Sequence, residues 1–417
     1  MNKSLIICLL LLAQNLGAQQ IDGNVNATVA LSTKHQQLSV DLTYHVFNIE
    51  DTASVLRFLL TSKAELRSVT GTGVSGYRVD TVSKPVPSVV IFLNRKRKTV
   101  RPEIRFQYSV TYDTAKYNRY GFIEMGLDWF WFPVHPKVSD WNFVYQLNVT
   151  TDDHLLALYS NGAVQVKSNQ TFQVRSIYPD YDINLFFFKD SKVYKAGSDV
   201  TIAGDTSRPL LKDSIAKATA AYLQFYTNTF GKTASGVTAV FRPISNDPNG
   251  FGYSRKGYFV LPELKTLDAV KQYIAHEIAH FWFIYGERTE NAWLTESLAE
   301  FSAMLAMKHF YGDSAYQLMI QDKISRLERF KKDGKIIPTI YKNGTKNKNM
   351  LSQVALYHKG PLVMDKLMGL LGQDKLVQVM KLTFEKKIKT SEAFIDLIGQ
   401  VASTDQKAKA RDLIMTF

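Results

Sequence analysis

The hydrophobic period of this chain changes once, near residue 206, and that change limits what it can fold into. From about Asn24 to Gly204 the pattern is strand-like. Leu38, Val40, Leu42, Tyr44 and Val46 alternate with polar residues, the period of a half-buried strand. Val89–Leu93, Ile104–Tyr112, Phe143–Val149 and Ile183–Phe188 read as further strands. Past Ser207, Pro209 is suited to the first turn of a helix. Leu211, Ile215, Ala218, Tyr222 and Phe225 then recur at helical spacing, and Gly231 supplies the stop. Val237–Phe241 and Tyr258–Leu261 are short strands, and from Leu267 onward the pattern is mostly helical. Strands followed by helices indicate an α+β fold. The expectation is an N-terminal antiparallel β domain over 19–205 and a second, mixed then helical domain over 206–417.

The first residues stand outside that scheme. Lys3 precedes the apolar run Leu5–Leu12, and Leu16-Gly17-Ala18 offers a small-residue cleavage site. This is the pattern of a secretory signal peptide over residues 1–18. Cys8, the only cysteine, would leave with it, so the mature chain would rely on its core rather than on disulfides. With 45% hydrophobic and 12% aromatic residues among 417, such a core is available. No later run reaches the ~18 apolar residues of a spanning helix. The expected location is therefore exported, periplasmic or secreted, with no membrane span. The formal net charge is +13. Its densest run, Asn94-Arg95-Lys96-Arg97-Lys98, reads as a solvated hairpin tip. It lacks interleaved aromatics to stack bases, so no nucleic-acid partner is expected. The cluster Trp129-Phe130-Trp131-Phe132-Pro133 reads as core packing between strands.

The chemistry is carried by His276-Glu277-Ile278-Ala279-His280. Val270, Ile274, Ile278 and Phe281 form the buried stripe of this helix. The two histidines, four apart, project from one face on successive turns. That spacing lets both imidazoles reach one tetrahedral Zn²⁺ at about 2.0–2.1 Å. Glu277 then lies where a carboxylate can take a proton from a zinc-activated water. A catalytic zinc needs a third protein ligand and an open position. A second helix beginning at Asn291-Ala292-Trp293-Leu294-Thr295-Glu296 provides Glu296. Glu300, one turn further on, is either a hydrogen-bond acceptor for a ligand imidazole or a solvated carboxylate.

His276-Glu277-x-x-His280 followed by Trp293-Leu294-Thr295-Glu296-Ser297 resembles the zinc signature of the gluzincin aminopeptidases. These are the membrane alanyl aminopeptidase (aminopeptidase N) family, whose second segment usually reads Trp-Leu-Asn-Glu-Gly. Tyr357-His358-Lys359-Gly360 is similar to that family's Tyr-x-Lys-Gly element. The resemblance implies a saddle-like N-terminal β domain and a thermolysin-like catalytic domain. It implies one Zn²⁺ per chain on His276, His280 and Glu296, with Glu277 catalytic and Tyr357 stabilising the oxyanion. Its substrate would be a peptide or protein. The likeness is sharp from about 220 to 375.

The sequence departs from the family in three places. The connection from Phe281 to Thr295 has 15 residues, three fewer than the family's. The family's Gly-Ala-Met-Glu-Asn element, which grips a substrate's amino terminus, is replaced by Asn249–Tyr258. There Arg255 and Lys256 would repel an ammonium. The chain ends at Phe417, where the family usually continues into a further helical domain. Glu300, Glu290, Glu287 and Asp247 are the carboxylates nearest in sequence that could replace the clamp. Zinc-dependent peptide hydrolysis is expected, aminopeptidase-like with open amino-terminus specificity. A glycyl-aminopeptidase-type gluzincin and an endopeptidase are the alternatives within the class. A catalytically idle zinc-containing scaffold is the alternative outside it. The strand Tyr258–Leu261 is the expected docking edge for extended peptide. Side-chain pockets for the substrate and the oligomeric state stay open.

Overall fold

A computed structural model of the chain describes residues 22–47, 54–81, 86–94, 101–112, 121–137, 141–233, 237–242, 252–262, 266–287, 290–341 and 350–417. The leader with Cys8, the basic run after Asn94, and Asp247 and Asn249 to Phe251 lie outside the described residues.

Among the described residues the first unit runs through thirteen strands. They are β1 (Gly23–Ser32), β2 (Gln37–Val46), β3 (Val55–Leu59), β4 (Ala64–Thr70), β5 (Val74–Asp80), β6 (Ser88–Leu93) and β7 (Glu103–Thr111), then β8 (Phe122–Met125), β9 (Phe143–Thr151), β10 (Ala157–Ser160), β11 (Ala163–Ser168), β12 (Thr171–Arg175) and β13 (Leu185–Phe188). Seven form one sheet in the order β11-β12-β9-β1-β2-β7-β4, and two three-stranded sheets read β10-β13-β8 and β3-β6-β5. The alternation in β2 has its cause here. Leu38, Val40, Leu42, Tyr44 and Val46 are buried, and the residues between them are not. Most pairings are antiparallel, but β1 and β9 run parallel, with Val25 opposite Tyr145.

One expectation for this unit needs correction. β6 pairs with β3 and β5, whereas β7 pairs with β2 and β4. The strands flanking the basic run therefore belong to different sheets and do not pair with each other. Each flanking strand satisfies its backbone groups with other partners. In the aromatic cluster Trp131 and Phe132 are fully buried, while Trp129 is 37% exposed. Trp131 Nε1 donates to the Ile183 carbonyl at 3.0 Å, which explains how an indole can sit in this core.

The second unit contains β14 (Ser191–Ala196), β15 (Val200–Asp205), α1 (Pro209–Phe230), β16 (Val237–Arg242), β17 (Tyr253–Arg255) and β18 (Tyr258–Pro262). Its helices continue as α2 (Leu267–Ala279), α3 (Trp293–Tyr311), α4 (Asp313–Lys332) and α5 (Met350–Val354). One π-helical turn, Ala355–Lys359, leads into α6 (Gly360–Leu371), α7 (Gln373–Glu385), α8 (Ser391–Val401) and α9 (Thr404–Thr416). The compact units divide as Met1–Ser191 and Lys192–Phe417, ahead of the expected boundary at 205. β14 and β15 join the second unit's sheet, whose order is β14-β15-β16-β18-β17.

That sheet corrects the expected docking edge. β18 lies between β16, in parallel, and β17, antiparallel. Tyr258–Leu261 is interior, and the edge next to it is β17. Both faces of β18 are covered, which fits its unbroken apolar run Tyr258-Phe259-Val260-Leu261. Among the helices α3 is central. Every residue from Trp293 to Met307 is buried except Glu296. A helix apolar all round belongs inside a core, so one partly exposed carboxylate in it marks an opening. No helix among the described residues is long and apolar enough to cross a membrane.

Candidate metal centre

The centre is built where α2 meets α3. Thr266 caps α2, its hydroxyl accepting from the Ala269 amide at 3.2 Å. Val270, Ile274, Ala275, Ile278 and Ala279 bury one side of that helix. His276 and His280 leave the other side with their Nε2 atoms 3.0 Å apart. Glu296 Oε2 lies 3.7 Å from His276 Nε2 and 3.5 Å from His280 Nε2. Ligands about 2.0–2.1 Å from a tetrahedral zinc stand roughly 3.3 Å from each other. The three donors therefore fit around one such ion, and they form the only His/Cys/Asp/Glu group of this kind among the described residues. Two imidazoles and a carboxylate suit Zn²⁺ chemically, and one zinc per chain is the cofactor this set accommodates.

Two neighbours complete the arrangement. Glu277 is buried, and its Oε2 has no hydrogen-bond partner among the described residues. An orphaned buried carboxylate oxygen is costly unless something outside the chain uses it. Burial pushes the Glu277 carboxyl up to about 7, against the pull of His276. The Tyr357 hydroxyl donates to Glu296 Oε2 at 2.6 Å, which places the phenol beside the donor cluster. Burial, reinforced by Glu296, raises the tyrosine well above its ordinary range, so it remains a proton donor at neutral pH. Burial opposes ionisation of Glu296, but His280, His276 and the Tyr357 hydroxyl bring it down to about 2.

Glu300 is not a solvated carboxylate. Its Oε2 is 2.8 Å from His276 Nδ1, and its Oε1 accepts from Gln272 Nε2 at 2.9 Å and Lys323 Nζ at 2.6 Å. A carboxylate can only accept, so His276 carries its proton on Nδ1 and turns the Nε2 lone pair toward the donor cluster. Against the desolvation of burial, Lys323 and His276 hold Glu300 well below the usual carboxylate range.

Tyr357 is placed by backbone packing. It sits in the π-helical turn, an irregularity often found at functional positions. Ser297, the residue after Glu296, donates from Oγ to the Leu356 carbonyl at 2.7 Å. Gly360 makes that approach possible, since a Cβ there would lie 2.5 Å from the Ser297 Cβ. The connection before α3 is anchored separately. Asn291 Oδ1 accepts from Ser391 N at 2.8 Å and Ser391 Oγ at 2.7 Å, and Trp293 Nε1 donates to Ser391 Oγ at 2.9 Å. Glu287, considered as a replacement clamp, accepts within its own loop, from Glu290 N at 3.1 Å and Asn291 Nδ2 at 3.2 Å. Glu290 is exposed.

The segment 252–258 reaches the same place. A Cβ on Gly252 would lie 2.9 Å from Glu277 Oε1, so β17 begins against that carboxylate. Ser254 Oγ donates to the Glu277 carbonyl at 2.8 Å. Arg255 is buried, packs its guanidinium 4.8 Å from the Tyr253 ring centroid, and acts electrostatically on Glu277. Arg255 stands out in the sequence, whereas no motif marks Lys323, Gln272 or Ser297. Lys323 did leave a signal. It falls in register with Tyr316, Ile320 and Leu327, the buried stripe of α4, and a lysine in such a stripe needs a partner.

No curated protein sequence matches the chain. Among solved structures, native leukotriene A4 hydrolase from yeast superposes with TM-score 0.76 at 13% identity, over 95% of this chain and 68% of that one. The M1 zinc metallopeptidase of Deinococcus radiodurans superposes with TM-score 0.68 at 14% identity, over 95% and 93%. A mutant of the latter, bound to a Tyr-Ser-Ala substrate, gives TM-score 0.70 at 16% identity, over 95% and 94%. At these identities the likeness is one of fold, a sheet-rich N-terminal unit followed by a mixed and helical one. Residues 261–415 match the peptidase family M1 domain, a span that holds His276, Glu277, His280, Glu296, Glu300 and Tyr357 together.

Proposed function

We propose that this protein is a zinc-dependent peptidase that cleaves peptide bonds with a water activated at the His276–His280–Glu296 site. The observation that carries this reading is the convergence of three donors beside an orphaned Glu277 oxygen and the Tyr357 hydroxyl. A purely structural metal site needs neither of those two groups, which argues against an idle scaffold. The D. radiodurans structure with a peptide substrate supports a peptide as the ligand of this fold.

His276, His280 and Glu296 would hold the ion, and Glu300 keeps His276 in the tautomer that can bind it. When bound, zinc polarises a carbonyl and acidifies a water. Glu277, held up to about 7 by burial, takes the water proton and passes it to the leaving amine. Tyr357 donates its proton toward the oxygen of the scissile carbonyl as charge develops there. β17, the edge strand that starts against Glu277, pairs with the backbone of an extended peptide.

Amino-terminus recognition is proposed to be weak. An exopeptidase must pair the substrate ammonium with a carboxylate. The charge that β17 brings near Glu277 is the cation Arg255, while Glu287 is bound within its loop. Peptides with blocked amino termini should therefore be cleaved as well. The leader at 1–18 supports an exported, periplasmic or secreted location, which amino-terminal sequencing of the mature protein would check. The deciding experiment is a peptide-library digest read by mass spectrometry, with and without a chelator. Cleavage that chelation abolishes and Zn²⁺ restores is expected. Cleavage indifferent to chelation, or none by the zinc-loaded protein, would overturn the reading.

A further inference from the structure

Lys323 is 3% exposed. A lysine ammonium is rarely buried so deeply without a specific partner, because desolvation is expensive. Its Nζ donates to Glu300 Oε1 at 2.6 Å and to the Tyr357 carbonyl at 3.1 Å. Two parts of the centre thus meet on one cation. Glu300 is the hydrogen-bond partner of His276. The Tyr357 carbonyl belongs to the π-helical turn that carries the phenol. α4 supplies the link, although it contributes no residue to the donor set.

We propose that Lys323 is a positioning residue of the metal centre. It holds the Glu300 carboxylate against His276 Nδ1 and fixes the backbone of Tyr357 in register with the same site. Gln272 supplies a second, neutral donor to Glu300 Oε1, so Glu300 is held from two helices. Removing Lys323 leaves Glu300 one point of attachment besides His276. The His276 ring then loses its fixed orientation, and the affinity for zinc falls. Outer-shell partners of ligating histidines commonly contribute about 10–100-fold to metal affinity.

This inference rests on the proposed zinc site, and its test separates the two. Zinc dissociation constants are measured by chelator competition, well below the unfolding temperature of each variant. The wild type should bind about one zinc per chain, and a wild type that binds none would overturn the proposed function itself. Lys323→Met should weaken binding by about 10–100-fold. Because this substitution leaves Glu300 buried without its cation, the pair Glu300→Gln and Glu300→Gln/Lys323→Met is measured alongside. If Lys323 acts on the metal through Glu300, adding Lys323→Met to Glu300→Gln should weaken zinc by no more than about threefold. Zinc affinity unchanged in Lys323→Met would refute the proposal. So would a double variant whose losses multiply as for independent sites.

Discussion

Gly360→Ala tests whether the spacing between α3 and the π-helical turn sets the site. The new Cβ would stand 2.5 Å from the Ser297 Cβ, where ordinary contacts run 3.4–4 Å, so the two backbones must part by about 1 Å or more. The Ser297 Oγ lies closer still and could rotate aside, but the Ser297 Cβ is fixed to the α3 backbone and cannot swing clear. Overpacking of this kind costs about 1–3 kcal/mol. Parting the elements also breaks the Ser297 Oγ bond to the Leu356 carbonyl, about 0.5–1.5 kcal/mol more. The sum is roughly 1.5–4.5 kcal/mol. In a domain of this size each kcal/mol moves the midpoint by about 2–4 °C, so the unfolding temperature should fall on the order of 10 °C. The displacement falls three residues from Tyr357, and a shift near 1 Å of a catalytic group costs about a hundredfold in rate. Calorimetry and peptide turnover read the two effects. The control is Ser297→Gly, which removes the obstructing atoms at about 1 kcal/mol for a helical glycine and about 0.5–1.5 kcal/mol for the lost Oγ bond. Gly360→Ala in that background should cost little further, giving a coupling of about 2 kcal/mol. Gly360→Ala within about 0.5 kcal/mol of wild type, or costs that simply add in the double variant, would refute the reasoning.

Other outcomes follow from the same geometry. Glu277→Gln should keep zinc and fold yet lose about 10²–10⁴-fold in turnover, since an amide cannot take the water proton; near-normal rates would remove Glu277 from that role. Tyr357→Phe should retain zinc and lose about 10²–10³-fold in kcat, checked by single-turnover kinetics. His358 is held down to about 4 by burial, with Lys323 and Arg326 adding to it. Its folded value lies below its unfolded one, so the stability it contributes is complete above about pH 6.5 and is lost as the pH falls through 4. His358→Leu should flatten that acid-side decline in thermal unfolding, and an unchanged slope would exclude His358 as its source. One peptide offered with a free and with an acetylated amino terminus should be cleaved at comparable rates. A preference for the free form on the order of a hundredfold, about 2.7 kcal/mol, would mean that a carboxylate serves the amino terminus after all.

The parts of this protein legible in its residues are those governed by local spacing. Alternation over Leu38–Val46 dictates a strand because successive side chains point to opposite faces. His276 and His280 share a helix face because four residues make slightly more than one turn. Glu296 could be matched to them because zinc chemistry calls for a third ligand. Tyr357 is legible only through resemblance, since one tyrosine among 21 has no local mark. What needed the tertiary structure is whatever depends on contacts between segments distant in the chain. The partners of β6 and β7, and the interior place of β18, follow from which strands compete for each edge, and no window of sequence contains that competition. Lys323 lies 23 residues from Glu300 and 34 from the carbonyl it also holds. Its stripe position shows that it is buried. Only the packing of α4 against α3 and the π-helical turn decides which charge it meets, because a buried ion's partner is chosen by the arrangement of the surrounding core.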